Sequence, residues 1–163
     1  MADCPASEEA MQTLETKIPP LVVAIAIGCT MKLCAYAWPL PIDSSPLLAV
    51  LGIGLCQLSA AIALLAFVTF AHARTTINPL DPSRASSLVT WGIFRISRNP
   101  MYLSLLLLLI AYALRLASWL ECVGPALFVA YVTRFQIIPE EEILAQKFGA
   151  AFHAYRIRTR RWL

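Results

Sequence analysis

The sequence predicts an all-helical (all-α) integral membrane bundle of about four transmembrane helices, followed by a C-terminal cytoplasmic amphipathic helix. Of its 163 residues, 59% are hydrophobic and only 14% are charged, whereas soluble domains carry about 25% charged residues. Several apolar stretches reach the roughly 20 residues that a helix needs to cross a bilayer, and the basic residues cluster in two segments. This composition excludes a disordered chain, a basic nucleic-acid-binding domain and a water-soluble globule, and the length suits one membrane domain.

The first half of the chain predicts two spans, over about residues 18–38 and 47–71. Residues 44–73 contain no aspartate, glutamate, lysine or arginine, and the first apolar stretch carries Lys32 as its one charge. Three prolines separate the two stretches, and proline cannot continue a helix, so we expect a short turn there. Residues 1–17 lack the basic leader of a signal peptide, so we expect a loose or surface-lying segment.

The second half predicts a helical hairpin, with spans over about residues 100–116 and 120–138. The apolar block from 99 to 138 is too long for one crossing and long enough for two. Arg115 and Glu121 interrupt this block. Because charges are costly in hydrocarbon, we expect both of them at the surface, in the turn between the two spans.

Positive charge is concentrated on one predicted side of the membrane. The loop over residues 72–99 contains four arginines, and the segment 139–163 contains five lysines or arginines. Four crossings place both segments and the N-terminus on the same side, which the excess of basic residues assigns to the cytoplasm. We therefore expect a multi-pass protein with both termini cytoplasmic and with its binding groups on these two long segments.

The Asn99–Pro100 pair marks the start of the third span. Asparagine is a preferred N-cap and proline fits the first helical position, so the pair has a purely structural interpretation. The free N–H groups of a helix start also bind anions, and Arg95 and Arg98 provide bidentate donors beside it. Both interpretations stay open from the sequence.

The C-terminal segment predicts a new amphipathic helix after Pro139, which marks the end of the fourth span. Its first turn holds the glutamates of residues 140–142, where anions favour the helix dipole. Arg134 lies within the fourth span, so it either snorkels to the interface or has a function. An apolar stripe predicts that the new helix lies on the membrane surface or caps the bundle, and it consists of Leu144, Phe148, Phe152 and Tyr155.

Two motifs together give the sequence a family resemblance. They are L-V-T-x-G-I-F-R-x-S-R-N-P-M-Y-L and R-F-x-x-x-P-E-E-x-x-L-x-x-x-F-G-x-x-F-x-x-Y-R-x-R-x-R-R-W. In this order, with a membrane hairpin between them, they resemble the isoprenylcysteine carboxyl methyltransferase and phospholipid methyltransferase superfamily, in particular its small bacterial-type members. The resemblance covers about residues 72–163. It implies an S-adenosylmethionine-dependent integral membrane methyltransferase, expected in a bacterial inner membrane, with a cytoplasm-facing cofactor pocket under the C-terminal segment.

The resemblance also implies which residues form the site. Asn99 stands where the family often has histidine, and the glutamate pair of the family corresponds to Glu140 and Glu141, of which the first is the expected cofactor contact. Arg134 and Glu141 are the candidate catalytic residues, with Arg134 as the candidate for orienting the substrate. The implied cofactor-binding residues are Ser87, Leu88, Val89, Phe94, Arg98, Asn99, Pro100, Met101, Tyr102 and Glu140.

The chemistry of methyl transfer fits these residue types. An in-line displacement at a sulfonium needs alignment and exclusion of water, and a carboxylate or thiolate nucleophile needs no general base. Glu140 can accept from the cofactor ammonium, while Arg98, Arg134 or the helix start near Asn99 can bind its carboxylate. An apolar slot for the adenine can be formed by Leu88, Val89, Phe94 and Tyr102. The one G-x-G sequence lies inside the second span, where it serves helix packing.

The remaining residues suggest no other chemistry. The five cysteines form no C-x-x-C pair and the two histidines are isolated, so we expect apolar fillers and no metal site. We expect a lipophilic or prenylated substrate, such as an isoprenylcysteine carboxylate or a lipid-like acceptor, and membrane lipids as partners, without nucleic acid; the oligomeric state stays open. Two alternatives are a membrane reductase of the sterol-reductase type that uses NADPH, and a non-enzymatic small transporter or assembly protein.

Overall fold

The computed structural model describes residues 18–38, 46–73 and 87–163, and the regular elements in these ranges are helical, as the sequence predicts. The expectations for residues 1–17, for the turn after the first span and for most of the following loop lie outside the described residues. The α-helices are α1 (Pro20–Ala37), α2 (Pro46–Ala73), α3 (Pro100–Leu116), α4 (Val123–Val132), α5 (Ile138–Phe148) and α6 (Ala150–Arg158). Two 3₁₀ turns, Gly92–Arg95 and Trp119–Cys122, precede α3 and α4, and a π-helical turn, Thr133–Ile137, joins α4 to α5.

Three helical segments are long and apolar enough to cross a membrane: Pro20–Ala37, Pro46–Ala73 and Leu120–Phe148. The shorter apolar helix α3 has 17 residues. The four predicted spans thus each correspond to a helical segment. Proline occupies a first-turn position of α1 and α3 and is the first residue of α2, where its missing N–H costs no helical hydrogen bond.

The new helix predicted near Pro139 is present as α5, with Glu140 and Glu141 in its first turn, but it follows the fourth span without a break in helical structure. The helical segment continues through the proline to Phe148. Just before the proline, the Ile138 N–H donates to the Thr133 carbonyl, five residues back. This π turn changes the hydrogen-bonding pattern at the position where a proline clashes with an α-helical ladder and removes a donor. The chain therefore changes helix type at this position without leaving helical structure.

The C-terminal amphipathic segment is divided at Gly149, where φ is +50°, a backbone conformation that glycine adopts readily. Its predicted apolar stripe is confirmed. Phe152 and Tyr155 of α6 are buried together with Val89 and Phe94, and Leu144 and Phe148 of α5 pack against the same cluster. Because the end of α2 also joins this cluster through Ala66, α5 and α6 cap one end of the bundle.

The helices of the bundle approach closely at small residues. A Cβ at Gly124 of α4 would overlap the Met31 sulfur of α1, so the glycine permits this contact. The Ser59 hydroxyl of α2 donates to the Ser104 carbonyl of α3 at 2.7 Å. The larger core cluster joins α1, α3, α4 and the π-helical turn through Val23, Ala24, Met31, Tyr102, Leu109, Ala113, Phe128, Val132 and Ile137.

The turn of the hairpin differs from expectation in one of its two charges. Arg115 is exposed, as predicted, but Glu121 is 1% exposed. The 3₁₀ turn Trp119–Cys122 packs against α1, α3 and α4, and this packing covers the glutamate. Sequence spacing places Glu121 in the turn but does not determine the direction in which a tight turn points its side chains.

Candidate functional site

The two segments singled out in the sequence meet at one end of the bundle. Arg98 donates to the Glu141 carboxylate at 2.7 Å, although the two residues are 43 positions apart. The Tyr102 hydroxyl donates to the Glu140 carboxylate. The expectation that the start of the third helix and the glutamates share one end is therefore confirmed. We call the set Arg98, Tyr102, Glu140, Glu141 and Arg161 the rim cluster.

Glu141 lies at the centre of the rim cluster. Its carboxylate accepts hydrogen bonds from Arg98 Nη2 at 2.7 Å, from Arg161 Nη2 at 2.7 Å and from Arg161 Nε at 3.2 Å. The glutamate is buried, so both of its oxygens are occupied by charge-assisted hydrogen bonds inside the protein. The hydrogen bonds that Glu141 accepts also raise the pKa of the Arg161 guanidinium.

Arg98 is held from three directions. Its Nη1 donates to the Arg156 and Thr159 carbonyls at 3.0 and 3.1 Å, and its Nη2 binds Glu141. The side chain is 9% exposed, and its Nε is buried without a hydrogen-bond partner among the described residues. A buried donor without a partner is rare in native proteins, which makes the Arg98 Nε a candidate donor to an anionic group of a ligand.

The helix start at Asn99 is built differently from the expected cap. Pro100 occupies a first-turn position and the Asn99 carbonyl accepts from the Leu103 N–H at 2.9 Å, but the asparagine side chain makes no capping hydrogen bond. Its Nδ2 donates instead to the Arg161 carbonyl at 3.0 Å. The expected capping role is thus wrong for the side chain, because the C-terminal tail lies close enough to compete for it.

The apolar candidates lie beside the rim cluster. Phe94 is buried and meets Phe70 edge-on at 4.9 Å between ring centroids. The Tyr155 hydroxyl donates to the Phe94 carbonyl at 2.7 Å, and burial raises the pKa of this tyrosine. Val89 is buried in the same cluster, with Leu88 and Met101 packed against it, whereas Ser87 is exposed. Of the side chains expected to hold the adenine, Leu88, Val89 and Phe94 therefore pack together with α6, whereas Tyr102 belongs to the cluster of α1, α3 and α4.

Arg134 lies on the π-helical turn and is not a member of the set that we call the rim cluster. It is exposed on the π-helical turn, and its guanidinium carbon lies 5.6 Å from the centroid of the Phe135 ring. The described arginines that bind Glu141 are Arg98 and Arg161. Its exposure fits the snorkelling interpretation of Arg134.

The C-terminal tail supplies contacts that the sequence analysis missed. Ser97 and Arg160 form an isolated parallel bridge, and the Arg98 N–H donates to the Arg160 carbonyl at 3.0 Å. Trp162 Nε1 donates to the Thr133 hydroxyl at 3.3 Å. The R-x-R-x-R-R-W motif at the end of the sequence could have indicated that the tail contributes to the site. Most of these contacts use backbone groups, however, and a sequence motif does not predict contacts of the backbone.

Gln136 is a second residue that the sequence analysis did not select. It is completely buried on the π-helical turn, one helical turn before Glu140, and its Nε2 donates to the Ile18 carbonyl at 2.8 Å. Its Oε1 has no hydrogen-bond partner among the described residues. This hydrogen bond brings the start of α1 to the end of the bundle that holds the rim cluster, as an even number of crossings predicts.

Comparison with known proteins supports a relationship over most of the bundle. A family model described as phospholipid methyltransferase matches residues 47–151. A protein of Haemophilus influenzae that carries the name "Uncharacterized protein" is 44% identical over 63 residues, which are 39% of this chain and 100% of that protein. No solved structure matches the chain.

Proposed function

Because the chain belongs to the phospholipid methyltransferase family, we propose that it transfers a methyl group from S-adenosylmethionine to a lipophilic acceptor at the cytoplasmic face of a membrane. The observation that carries this proposal is the buried Arg98 guanidinium with its unused Nε donor. It lies in the same cluster as the Tyr102–Glu140 pair. A donor for a carboxylate and an acceptor for an ammonium are what the amino-acid end of this cofactor requires.

The residues present fit the cofactor in two further respects. Leu88, Val89, Phe94 and Met101 form or line an apolar cluster at the same end of the bundle, which suits an adenine ring. The partly buried Glu140 accepts from Tyr102 through one oxygen, so its other oxygen is a candidate acceptor for the cofactor ammonium. When bound, S-adenosylmethionine would supply an electrophilic methyl group on a sulfonium.

In this proposal the protein acts by binding, orienting and excluding water. Arg98 binds the carboxylate of the cofactor. The three protein groups that already bind Arg98 hold its guanidinium in one position, so the bound cofactor is held in place as well. Glu141 has both oxygens occupied by Arg98 and Arg161, so we propose that it positions Arg98. The cap formed by α5 and α6 shields the site from water, which favours displacement over side reactions.

The acceptor in this proposal reaches the site from the membrane. Large apolar side chains are exposed along α1 and α2, as expected for surfaces in contact with lipid tails. An acceptor with a hydrocarbon tail, a prenylcysteine carboxylate or a lipid head group, partitions into the same layer. Arg134, exposed near the end of the fourth span, is the candidate for binding an anionic group of the acceptor.

Titration calorimetry of the detergent-solubilised protein with S-adenosylmethionine tests the cofactor. We expect binding by the wild type and about tenfold weaker binding by Arg98→Lys. Lysine has no planar guanidinium, so it cannot bind the three protein partners and also offer the Nε donor to the cofactor. Arg158→Ala is the matched control, because this exposed arginine donates to the Ala154 carbonyl of its own helix, α6. Absence of binding by the wild type would contradict the proposal.

Incubation with methyl-labelled cofactor and a lipid extract tests the acceptor. We expect label in the organic phase with the wild type and a strongly reduced amount with Arg98→Lys. Cofactor binding without label transfer would agree with the cofactor assignment but would overturn the proposal of a lipophilic acceptor. Binding of NADPH in place of S-adenosylmethionine would favour a reductase and overturn both parts of the proposal.

A further inference from the structure

The end of the bundle that holds the rim cluster carries a strip of unpaired positive charge on its exposed side. Four exposed arginines of α6, the tail and the 3₁₀ turn before α3 form no ion pair with a carboxylate among the described residues. Two large apolar side chains beside them are exposed as well, Ile96 to 60% and Ile157 to 86%. We call this set the basic strip, and it consists of Arg95, Ile96, Arg156, Ile157, Arg158 and Arg160.

Hydrogen bonds to the backbone hold the two parts of the basic strip side by side. The Arg98 N–H donates to the Arg160 carbonyl at 3.0 Å. The Arg98 side chain donates through Nη1 to the Arg156 carbonyl at 3.0 Å. The segment before α3 therefore lies against the end of α6 and the tail, and the charges of both segments act at one place.

The basic strip lies at the level where the bundle enters the membrane. Arg98, to which the strip is bonded, directly precedes the start of α3 at Asn99 and Pro100. Beyond the strip, the tail contacts the fourth span, because Trp162 Nε1 donates to the Thr133 hydroxyl at 3.3 Å. Trp162 also packs against the core cluster of α1, α3 and α4. Exposed side chains between these two contacts are therefore expected in the head-group region, where tryptophan is enriched.

Charge and apolar exposure together indicate the partner of the basic strip. Residues 92–98 and 150–163 contain no aspartate or glutamate, so the strip has no acidic side chains of its own. Guanidinium groups bind phosphate oxygens bidentately, and basic residues near the surface of an anionic bilayer are attracted to it. Isoleucines exposed between the charges suit the boundary of head groups and acyl chains, into which the apolar side chains of interfacial helices insert.

We propose that the basic strip docks on anionic phospholipids of the bilayer that surrounds the protein. The arginines bind head-group phosphates, and the isoleucines insert below them. Because Arg98 is bonded to the backbone of the strip, docking also holds the cap of α5 and α6 at the membrane. This docking is independent of the proposed methyl transfer, since neither cofactor nor acceptor takes part in it.

Fluorescence quenching at residue 157 tests the docking. A variant with alanine at the five cysteines and with Ile157→Cys is labelled with bimane, a small apolar fluorophore. It is placed in lipid nanodiscs that contain a phospholipid with a spin-label quencher on the acyl chain, close to the head group. One set of nanodiscs is made of phosphatidylcholine, and the other is a mixture of phosphatidylcholine with anionic phosphatidylglycerol.

Gln146→Cys in the same cysteine-free background is the matched control. Gln146 is exposed on α5, 26 residues after the start of the fourth membrane segment at Leu120. This separation is about 39 Å along a helix, which is longer than the roughly 30 Å of the hydrocarbon core. Bimane at this position should therefore be quenched weakly, and equally in both kinds of nanodisc.

We expect bimane at residue 157 to be quenched more strongly in the anionic nanodiscs than in phosphatidylcholine alone. Glutamine at positions 156, 158 and 160 should weaken docking about fivefold for each charge removed, which is enough to remove the difference between the lipids. The contacts of Arg98 with the strip use backbone carbonyls, so these substitutions leave them in place. At about 1 M salt the difference should also shrink, since the Debye length falls to about 3 Å.

Lysine at the same three positions separates charge from any change in fold. This variant should keep most of the difference between the lipids, and its loss would contradict the proposal because the required charge is still present. Equal quenching at residue 157 in both lipids, or none in either, would overturn the docking. If soluble polyglutamate shifts the bimane emission in phosphatidylcholine nanodiscs and phosphatidylglycerol has no effect, the strip binds an acidic protein, and the lipid partner is wrong.

Discussion

Arg161 donates to both carboxylate oxygens of Glu141, at 3.2 Å from Nε and 2.7 Å from Nη2. The same residue accepts from the Asn99 side chain through its carbonyl at 3.0 Å. One arginine of the C-terminal tail therefore joins the start of α3 to the first turn of α5. Since Glu141 also binds Arg98, the tail determines the position of the guanidinium that we assign to the cofactor.

Replacement of Arg161 by alanine should lower the stability by about 1 kcal/mol, since hydrogen bonds to charged groups are strong but this side chain is 33% exposed and screened by solvent. On the proposed function, binding of S-adenosylmethionine should also weaken about fivefold. Without Arg161, Glu141 is held less firmly, and Glu141 in turn positions Arg98. Thermal unfolding and titration calorimetry measure the two effects. Arg160→Ala is the control, since its backbone contact with Arg98 remains; equal effects of both variants would contradict the positioning role.

Replacement of Tyr102 by phenylalanine should destabilise the protein by about 1–3 kcal/mol, the range for leaving a buried polar group without its partner. The tyrosine is 8% exposed and its hydroxyl donates to Glu140, so the carboxylate would lose a donor. Tyr36→Phe is the matched control, because Tyr36 is 90% exposed. The midpoint of denaturant unfolding should shift for the first variant and stay unchanged for the second.

Replacement of Gly124 by alanine should cost about 1–3 kcal/mol, since the added methyl group overlaps the Met31 side chain in a packed core. Gly54→Ala is the control, because a Cβ at Gly54 meets no atom within 4 Å. In the background of Met31→Ala, the Gly124→Ala change should cost much less, as expected for residues in direct contact. Additive effects in this double-mutant cycle of thermal unfolding would rule out the overlap as the cause.

Replacement of Tyr155 by phenylalanine should destabilise the protein by about 1 kcal/mol, because it removes the hydrogen bond to the Phe94 carbonyl at 2.7 Å. The local effect should be larger than the global one. The Ile96 and Ser97 N–H groups, which donate to the Ile93 carbonyl, should exchange faster with deuterium. Unchanged exchange at these two amides would show that α6 does not hold this segment.

Particular residues show how far prediction from the sequence reached. Pro100 marked the start of α3 correctly, because the effect of proline on a helix is local. Pro139 likewise marked the start of α5, but the π-helical turn that precedes it has no signal in the sequence. Arg98 and Glu141 were both selected, but their ion pair and its third member, Arg161, depend on how the tail folds back.

The burial of Glu121 illustrates the same division. The prediction placed its charge at the surface because isolated carboxylates are costly to bury. In the folded protein the 3₁₀ turn packs against three helices and covers the side chain. The direction of a side chain in a tight turn depends on this packing, and the periodicity of apolar residues in the sequence does not predict it.

The sequence by itself determined the helical class, the spans and the shared end of its two basic segments. Hydrophobic length, proline positions and charge asymmetry act over a turn or a span of the chain, so they can be recognised without neighbours. Only the tertiary structure decided which charges pair and which polar groups stay buried and unpartnered. Those outcomes join residues 43 to 62 positions apart, such as Arg98 with Glu141 and Asn99 with Arg161, and they depend on distances of a few ångströms that no local pattern contains.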